Sequence, residues 1–179
     1  MSFINVATRS AEAFTGSNDV VRRRAQPLDL MATEDERLDF AYRYWTGKRQ
    51  NGLLPARKDI DVIDLRPVIG AMHIVDVAAA DPNEYRFRVY GSKVRMRRFQ
   101  NYTNHCVGDH PSETYRSAVA EDYLSVVATG VPSYQQIVAR IDHINYSYSR
   151  LLLPLADDGR RVNMLLVCIN DRAFDDFQV

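Results

Sequence analysis

The stretch Arg150-Leu151-Leu152-Leu153-Pro154-Leu155 decides the fold class of this chain. Together with Val162–Ile169 it forms the last two predicted strands, and both are apolar at successive positions instead of alternate ones. A sheet that leaves one face in water alternates apolar and polar residues. We therefore expect the outer face of this sheet to be covered by the N-terminal helix, by a second subunit, or by both.

The segments that precede this pair extend the same sheet. A third strand is predicted at about Ser133–Ile141, joined by the turn Asp142-His143 to the strand Asn145–Leu155. Before it, Ser112 can cap a long amphipathic helix, and Gly130 and Pro132 follow the end of that helix.

A hairpin comes earlier in the chain. Met72–Val77 is a mostly apolar strand, and Asp81-Pro82-Asn83 is a turn signal. The next strand alternates, with one side formed by Tyr85, Phe87 and Val89 and the other by Arg86 and Arg88. This pattern predicts a half-buried antiparallel strand.

The N-terminal third is predicted to contribute one helix. Thr33 and Glu36 have capping-box spacing, and Gly47 and Gly52 are expected to end the helix. Its apolar stripe at helical spacing is Leu38, Ala41, Tyr42 and Trp45. Residues 1–33 are interpreted as an N-terminal arm, partly helical at most, in which Arg22-Arg23-Arg24 is either solvated or a docking patch for an acidic surface.

Composition limits the classes of function. The chain has 179 residues with 23 basic and 23 acidic side chains, so its net charge is zero, which argues against duplex DNA or an anionic membrane as a general partner. Neither a signal peptide nor a span of about 20 apolar residues is visible. Cys106 and Cys168 form no disulfide framework. We expect a cytoplasmic protein without membrane association.

Three groups of residues were weighed as sites of chemistry. His105, Cys106 and His110 are weak candidates for a metal or heme site, and Cys106 beside a histidine is a weaker candidate for a nucleophile. The basic stretch from Arg86 to Arg98 carries interleaved aromatics, as a site for phosphate or single-stranded nucleic acid would. The zero net charge favours a solvated surface and makes nucleic acid an unlikely partner, and an acidic protein partner is an intermediate alternative. The sequence requires no cofactor, and we expect no enzymatic activity.

The order of elements and several local motifs resemble one family. These motifs are Tyr44-Trp45…Lys48-Arg49, Leu54-Pro55-Ala56-Arg57…Asp59-Ile60-Asp61, Asp64-Leu65-Arg66-Pro67, Val89-Tyr90-Gly91-Ser92 and Arg150–Leu155. In combination they resemble the stand-alone PAS proteins of the PAS-5 type, which are bacterial and mainly alphaproteobacterial. The resemblance covers residues 34–169, and we expect residues 170–179 to be a C-terminal tail too short for an output domain.

The resemblance implies an α+β PAS fold, with a five-stranded antiparallel sheet, helices on one face and an extra N-terminal helix. It implies a cavity for a small ligand, and the pocket candidates are Phe87, Val89, Val94, Tyr102, Tyr115 and Val119. We expect a homodimer, and the candidate contact residues are Leu38, Tyr42, Trp45 and Leu152. The predicted function is sensory or regulatory, with a small ligand or an unknown protein partner and signalling by protein contact. The alternative is a ligand-free interaction adaptor.

Overall fold

Residues 19–30, 35–94 and 101–170 are described by the computed structural model of the chain. They form a six-stranded sheet with the spatial order β1-β4-β5-β6-β2-β3, in which all neighbouring strands are antiparallel. The strands are β1 (Val20–Gln26), β2 (Met72–Asp76), β3 (Arg86–Tyr90), β4 (Ser133–Ile141), β5 (Ile144–Leu155) and β6 (Met164–Ile169). The two long helices are α1 (Glu36–Lys48) and α2 (Glu113–Thr129).

The sheet has one strand more than the sequence predicts. The segment Val20–Gln26, which was expected to be an arm or a short helix, is strand β1 and pairs with β4 along its whole length. Three consecutive arginines suggested a solvated segment, but Arg23 points to the α2 side while Arg22 and Arg24 point to the other side. Because this pairing joins residues far apart in the sequence, no local sequence pattern predicts it. The predicted arm before residue 19 and the tail after residue 170 lie outside the described residues.

The strands β5 and β6 are apolar on both faces because a helix covers each face. Leu151, Leu153 and Leu155 of β5 contact the cluster that contains Leu38, Ala41 and Trp45 of α1. Leu152 lies on the opposite face, in the cluster that contains Val119 and Tyr123 of α2. The prediction that the outer face is covered is therefore confirmed, and within the chain its cover is α1.

The ends of both helices have identifiable caps. Asp35, and not Thr33, is the N-cap of α1, because its carboxylate accepts hydrogen bonds from the amides of Arg37 (3.0 Å) and Leu38 (3.3 Å). Thr33 lies outside the described residues. The predicted cap of α2 is confirmed, since the Ser112 hydroxyl accepts from the amide of Tyr115. Gly130 ends α2 with φ of 65°, a conformation that glycine adopts without strain.

The burial of three predicted contact residues leaves no surface for a second subunit at those positions. Leu38 and Leu152 have no exposed surface and Trp45 is 1% exposed, all within their own chain. The Trp45 indole Nε1 donates a hydrogen bond of 2.9 Å to the Pro154 carbonyl, which fixes α1 on β5. Tyr42 is half-buried and stacks on Trp45. A dimer contact through Leu38, Trp45 and Leu152 is therefore wrong, and the homodimer itself stays a prediction that needs another surface.

Candidate functional site: the interior beneath helix α2

Most of the predicted pocket residues meet in one place, between the sheet and α2. Phe87, Val94, Tyr102 and Val119 are buried in the same cluster, and Tyr115 packs at its margin. Strand β3 contributes Phe87, α2 contributes Val119 and Tyr115, and the connection between them contributes Val94 and Tyr102. The site predicted from the sequence is thus a real part of the interior.

Val89 is the exception among the pocket candidates. The pairing of β2 with β3 shifts register between Ile74 and Val75, so Ile74 lies opposite Val89 while Val75 lies opposite Phe87. This bulge places an extra residue in β3 and turns Val89 to the α1 side of the sheet, where it is 38% exposed. Tyr90 takes the interior position beside Phe87 instead, with ring centroids 5.4 Å apart. The alternation in the sequence predicted the strand correctly and missed the bulge.

Aromatic rings form a continuous chain through this interior. His73 stacks on Tyr90 with centroids 4.2 Å apart, and Tyr90 contacts Tyr102 at 5.5 Å. Tyr102 in turn stacks on His110 at 5.5 Å, and His110 contacts Tyr115 at 4.3 Å. Sequence reasoning missed His73, Tyr90 and His110 as members of this set. The only sequence feature that these three residues share is an aromatic side chain. Aromatic side chains are common in any core, so this feature could not identify them as part of the site.

A small hollow lies beside these rings. It lies between β4, β5 and the ring chain, has a volume of about 30 Å³ and is lined by Tyr90, Val94, His110, Tyr115, Ala139, Ile141, Tyr146, Tyr148 and Ile169. A water molecule needs at least about 10–15 Å³ by this measure. This hollow therefore has room for water and not for an organic ligand.

A charged group lies beneath α2. Arg150 of β5 is buried, and its guanidinium donates to the Asp122 carboxylate and, at 2.8 Å, to the Gln135 side-chain oxygen. It also lies 5.7 Å from the centre of the Tyr123 ring. Burial alone would lower the pKa of Arg150, but Tyr148 and Asp122 outweigh that effect and raise the pKa, so the guanidinium stays charged. Its Nε is a buried donor with no hydrogen-bond partner among the described residues.

His73 is held in its neutral form. Its Nδ1 accepts a hydrogen bond of 3.1 Å from the amide of Gly91. Burial lowers the pKa of His73 to about 3, and the positive charge of Arg150 lowers it further in the same direction. At neutral pH this histidine is therefore a structural acceptor and does not serve as an acid or base.

The amide of Gly91 reaches His73 because the backbone at this point has no side chain. A Cβ at residue 91 would lie 2.6 Å from the carbonyl oxygen of Gly70 and 2.9 Å from that of Met72. Contacts this short with backbone atoms cannot be relieved by a rotamer change. Glycine is therefore required where the chain leaves β3.

The weak candidates for metal ligands, His105, Cys106 and His110, do not point to a common centre. His105 is exposed and lies 3.5 Å from the Asp109 carboxylate, which also accepts from the Cys106 amide. His110 is buried in the ring chain, and its Nδ1 accepts from the Ser112 amide. Over the described ranges, no three histidine, cysteine or acidic side chains lie together as metal ligands would.

The two cysteines lie in different environments. Burial raises the pKa of the Cys168 thiol to about 12, so it stays protonated in the core. Cys106 is half-buried next to β3, where it forms an isolated bridge with Arg86. Neither thiol is shown hydrogen-bonded to a histidine base.

The predicted basic stretch is divided by its contacts. The Arg86 guanidinium donates to the Asn104 carbonyl at 2.6 Å, and Arg88 forms an ion pair of 3.0 Å with Asp76. Arg95, Arg97 and Arg98 lie outside the described residues. The described portion of the stretch thus makes local contacts within the domain. Among the helices of the described ranges, none is long and apolar enough to cross a membrane.

Comparison with known proteins agrees with this geometry. A family model described as a PAS domain matches residues 34–169, which is most of the chain. The antiparallel sheet with a helical connection over one face is the architecture expected of that class, and the chain belongs to the PAS domain family. Such domains serve in general as sensory or interaction modules. Searches of curated proteins and of solved structures found no match.

Proposed function

We propose that this PAS domain is a regulatory interaction module that signals through protein contacts and performs no catalysis. The observation that carries the proposal is the chain of contacting rings from His73 to Tyr115, beside which the described interior has a hollow of only about 30 Å³. A sensor of an organic molecule needs a larger space, since ligand pockets are typically about 300–1,000 Å³. The ligand-free adaptor is therefore favoured over the ligand sensor.

The environments of the polar groups also support a role without catalysis. His73 is neutral, Arg150 is paired with Asp122, and Cys168 is protonated. A nucleophile needs a base within hydrogen-bond distance, and a general base needs a pKa near the working pH. All three groups are buried, as expected of groups that contribute to the packing of the fold.

Native mass spectrometry of the purified full chain tests the proposal. We expect the mass of the polypeptide, or of its oligomer, with no small molecule retained. A retained organic molecule would overturn the proposal if the matched variant Val119→Phe, which adds volume beside the rings, failed to retain it. The variant Val138→Phe is the control, because Val138 is exposed on the other side of the sheet.

A second candidate, sensing of a small polar ligand, is favoured by one feature. A surface hollow of about 360 Å³ is lined by Asn101, Tyr102, His105, Asp109 and Pro111. Tyr102 belongs to the ring chain, so a ligand bound there would contact the core directly. Thermal shift assays against a panel of polar metabolites test this candidate. Stabilisation of the native chain that is lost in His105→Ala would support it.

We also propose a cytoplasmic location and a homodimeric state, in a bacterial source as the resemblance implies. Because Leu38, Trp45 and Leu152 are buried, any dimer must form through other residues. Sedimentation equilibrium of the full chain tests the dimer, and a monomer at micromolar concentration would contradict it.

A further inference from the structure

Helix α1 covers only part of its side of the sheet. It packs on β5 and β6, through residues such as Leu153 and Leu166. On the same side, β1, β4 and the first half of β5 remain exposed, as Val20 (45%) and Val138 (58%) indicate. We refer to this area as the basic sheet face, and it is defined by Val20, Arg22, Arg24, Val138, Arg140 and Ser147.

The strand register places these side chains on one surface. Tyr134 of β4 lies in the α1 cluster, so the alternate residues Val138 and Arg140 point to the same side. Across the strand pair, Arg22 lies opposite Val138 and Val20 lies opposite Arg140. Residues two apart in a strand are about 7 Å apart, so Arg22 and Arg24 form a regularly spaced pair of cations.

This face carries positive charge without compensation. None of the side chains that β1, β4 and the first half of β5 direct to it is acidic. No described carboxylate forms an ion pair with Arg22, Arg24 or Arg140. The nearest acids in the sequence, Asp19 and Asp142, come just before β1 and just after β4 and are not part of the strands. The Asp19 carboxylate accepts hydrogen bonds from the Ser112 hydroxyl and from the Asp142 amide.

Arg23 lies between Arg22 and Arg24 in β1 and, unlike them, forms ion pairs with carboxylates of the domain. It points to the α2 side, where it forms ion pairs with Glu121 at 2.6 Å and with Asp122 at 3.0 Å. The same strand thus has one neutralised cation that fixes it to the domain and two cations that remain available. Exposed charge of one sign attracts and orients an oppositely charged partner.

Strand β1 also offers a backbone edge. Within the described ranges it pairs with β4 alone, so its other edge presents amide and carbonyl groups without a strand partner. An extended segment can add to such an edge by main-chain hydrogen bonds. Its side chains would then lie about 4.5–5.5 Å, between Cβ atoms, from those of β1 on each face.

We infer that the basic sheet face and the edge of β1 bind an extended acidic segment of a partner protein. The segment adds as a strand beside β1, and its carboxylates at alternate positions pair with Arg22 and Arg24. This inference rests on the proposed function, because it assigns the surface through which the interaction module makes its contact. The alternate spacing sets the recognition rule: acids at positions i and i+2 of an extended chain.

Charge and residue type favour this occupant over two others. A second copy pairing through an antiparallel β1–β1 contact centred on Arg23 would place Arg22 opposite Arg24, and like charges directly opposite are destabilising. Binding of single-stranded nucleic acid relies on aromatic side chains on which bases stack. The basic sheet face consists of valine, serine and arginine, and Tyr134, on the same side of β4, is buried in the α1 cluster.

Fluorescence anisotropy with the full chain tests the inference. The probe is a short labelled peptide in which Glu alternates with Val, and the control peptide has Gln at each Glu position. We expect the Glu peptide to bind, to weaken as salt is raised, and to lose at least about tenfold in affinity to the double variant Arg22→Glu, Arg24→Glu. The control variant Arg66→Glu changes an exposed arginine in the turns before β2 and should bind normally.

Two further measurements separate strand addition from general charge attraction. Hydrogen exchange should show new protection of β1 amides when the Glu peptide binds. A peptide with Lys in place of Glu should bind the double variant and not the wild type. Equal binding of the Glu peptide by wild type and double variant, or protection outside β1, would overturn the inference. So would preferential binding of a single-stranded oligonucleotide, or a dimer in sedimentation that the double variant abolishes.

Failure of this inference is distinguishable from failure of the proposed function. If a host protein bound the wild type and the double variant equally, the interaction module would stand and its surface would be elsewhere. If native mass spectrometry found an organic molecule in the interior, the proposed function would fail whatever the peptide result.

Discussion

Arg150 is the residue on which the interior depends most. It lies within the apolar strand that decided the fold class, and its charge is buried under α2 with Asp122 as its ionic partner. Breaking a buried ion pair by removing one partner leaves an uncompensated charge, which is far more costly than loss of an exposed pair. The two neighbouring acids Glu121 and Asp122 allow this difference to be measured at one turn of one helix.

We predict that Asp122→Ala lowers the free energy of unfolding by about 3 kcal/mol, because Arg150 is left buried without its carboxylate. Glu121→Ala, which removes only the exposed contact with Arg23, should change it by less than about 0.5 kcal/mol. Urea denaturation followed by circular dichroism measures both values. Equal effects of the two variants would show that the Arg150 charge is not compensated by Asp122.

His73 makes stability depend on pH. Its pKa is lowered in the folded state to about 3, against an ordinary value of 6.5. Its contribution is therefore fully present above about pH 6.5 and is lost as pH falls, because the unfolded chain takes up a proton that the folded chain refuses. Between pH 6.5 and pH 5 the loss should be about 1.6 kcal/mol, because the slope rises from half of about 1.4 kcal/mol per unit toward its full value as the unfolded imidazole becomes protonated.

The variant His73→Gln removes this titration and can keep an acceptor for the Gly91 amide. We predict that the unfolding free energy of this variant falls less between pH 6.5 and pH 5 than that of the wild type. Other groups titrate in both proteins, so the quantity to compare is the slope of the unfolding free energy against pH in the wild type and in the variant. Parallel slopes would mean that His73 is protonated in the folded state.

At the scale of the element, local patterns predicted the structure well where the interactions are local. The bounds of β4 and the caps of α2 follow from alternation, from Ser112 and from Gly130. Strand β1 could not be predicted in this way, because its pairing with β4 joins residues more than a hundred positions apart. The bulge that turned Val89 outward likewise depends on the register between β2 and β3, which no single strand encodes. Most of the pocket candidates therefore lie together as predicted, whereas Val89 lies on the other side of the sheet and Tyr90 takes its place.

Gly91, which follows β3, lies close to the backbone of Gly70 and Met72 at the start of β2. Gly91→Ala should lower the free energy of unfolding by about 2 kcal/mol or more, because its Cβ would meet two backbone carbonyl oxygens. Gly47→Ala is the matched control, since residue 47 lies in α1 with no heavy atom within 4 Å of the added Cβ. That variant should raise stability by up to about 1 kcal/mol. Similar effects of both substitutions would refute the steric argument.

On the scale of the whole molecule, one sheet contributes side chains to two hydrophobic cores, one beneath α1 and one beneath α2. Strands β5 and β6 send alternate side chains to the α1 cluster and to the α2 cluster, so neither core exists without the other. A fold assembled in this way should lose both cores together, since small single domains usually unfold in one cooperative transition.

Trp45, the single tryptophan, reports on the α1 core alone, while far-ultraviolet circular dichroism reports on the whole backbone. We predict that the two signals give the same midpoint and the same slope in urea. Val119→Ala, in the α2 core, should shift the Trp45 transition as much as the dichroism transition. A Trp45 transition that precedes the other, or is insensitive to Val119→Ala, would show that α1 detaches independently.

The position of β1 affects how fragments of this protein should be made. The family match begins at residue 34, after β1 ends at Gln26. A fragment cut at the start of the match would remove Arg23 from Asp122 and expose the hydrogen-bonding edge of the nine-residue strand β4. A long strand edge uncovered in this way favours aggregation. Expression of the domain should therefore begin upstream of Asp19, because solubility depends on seven residues that the family boundary omits.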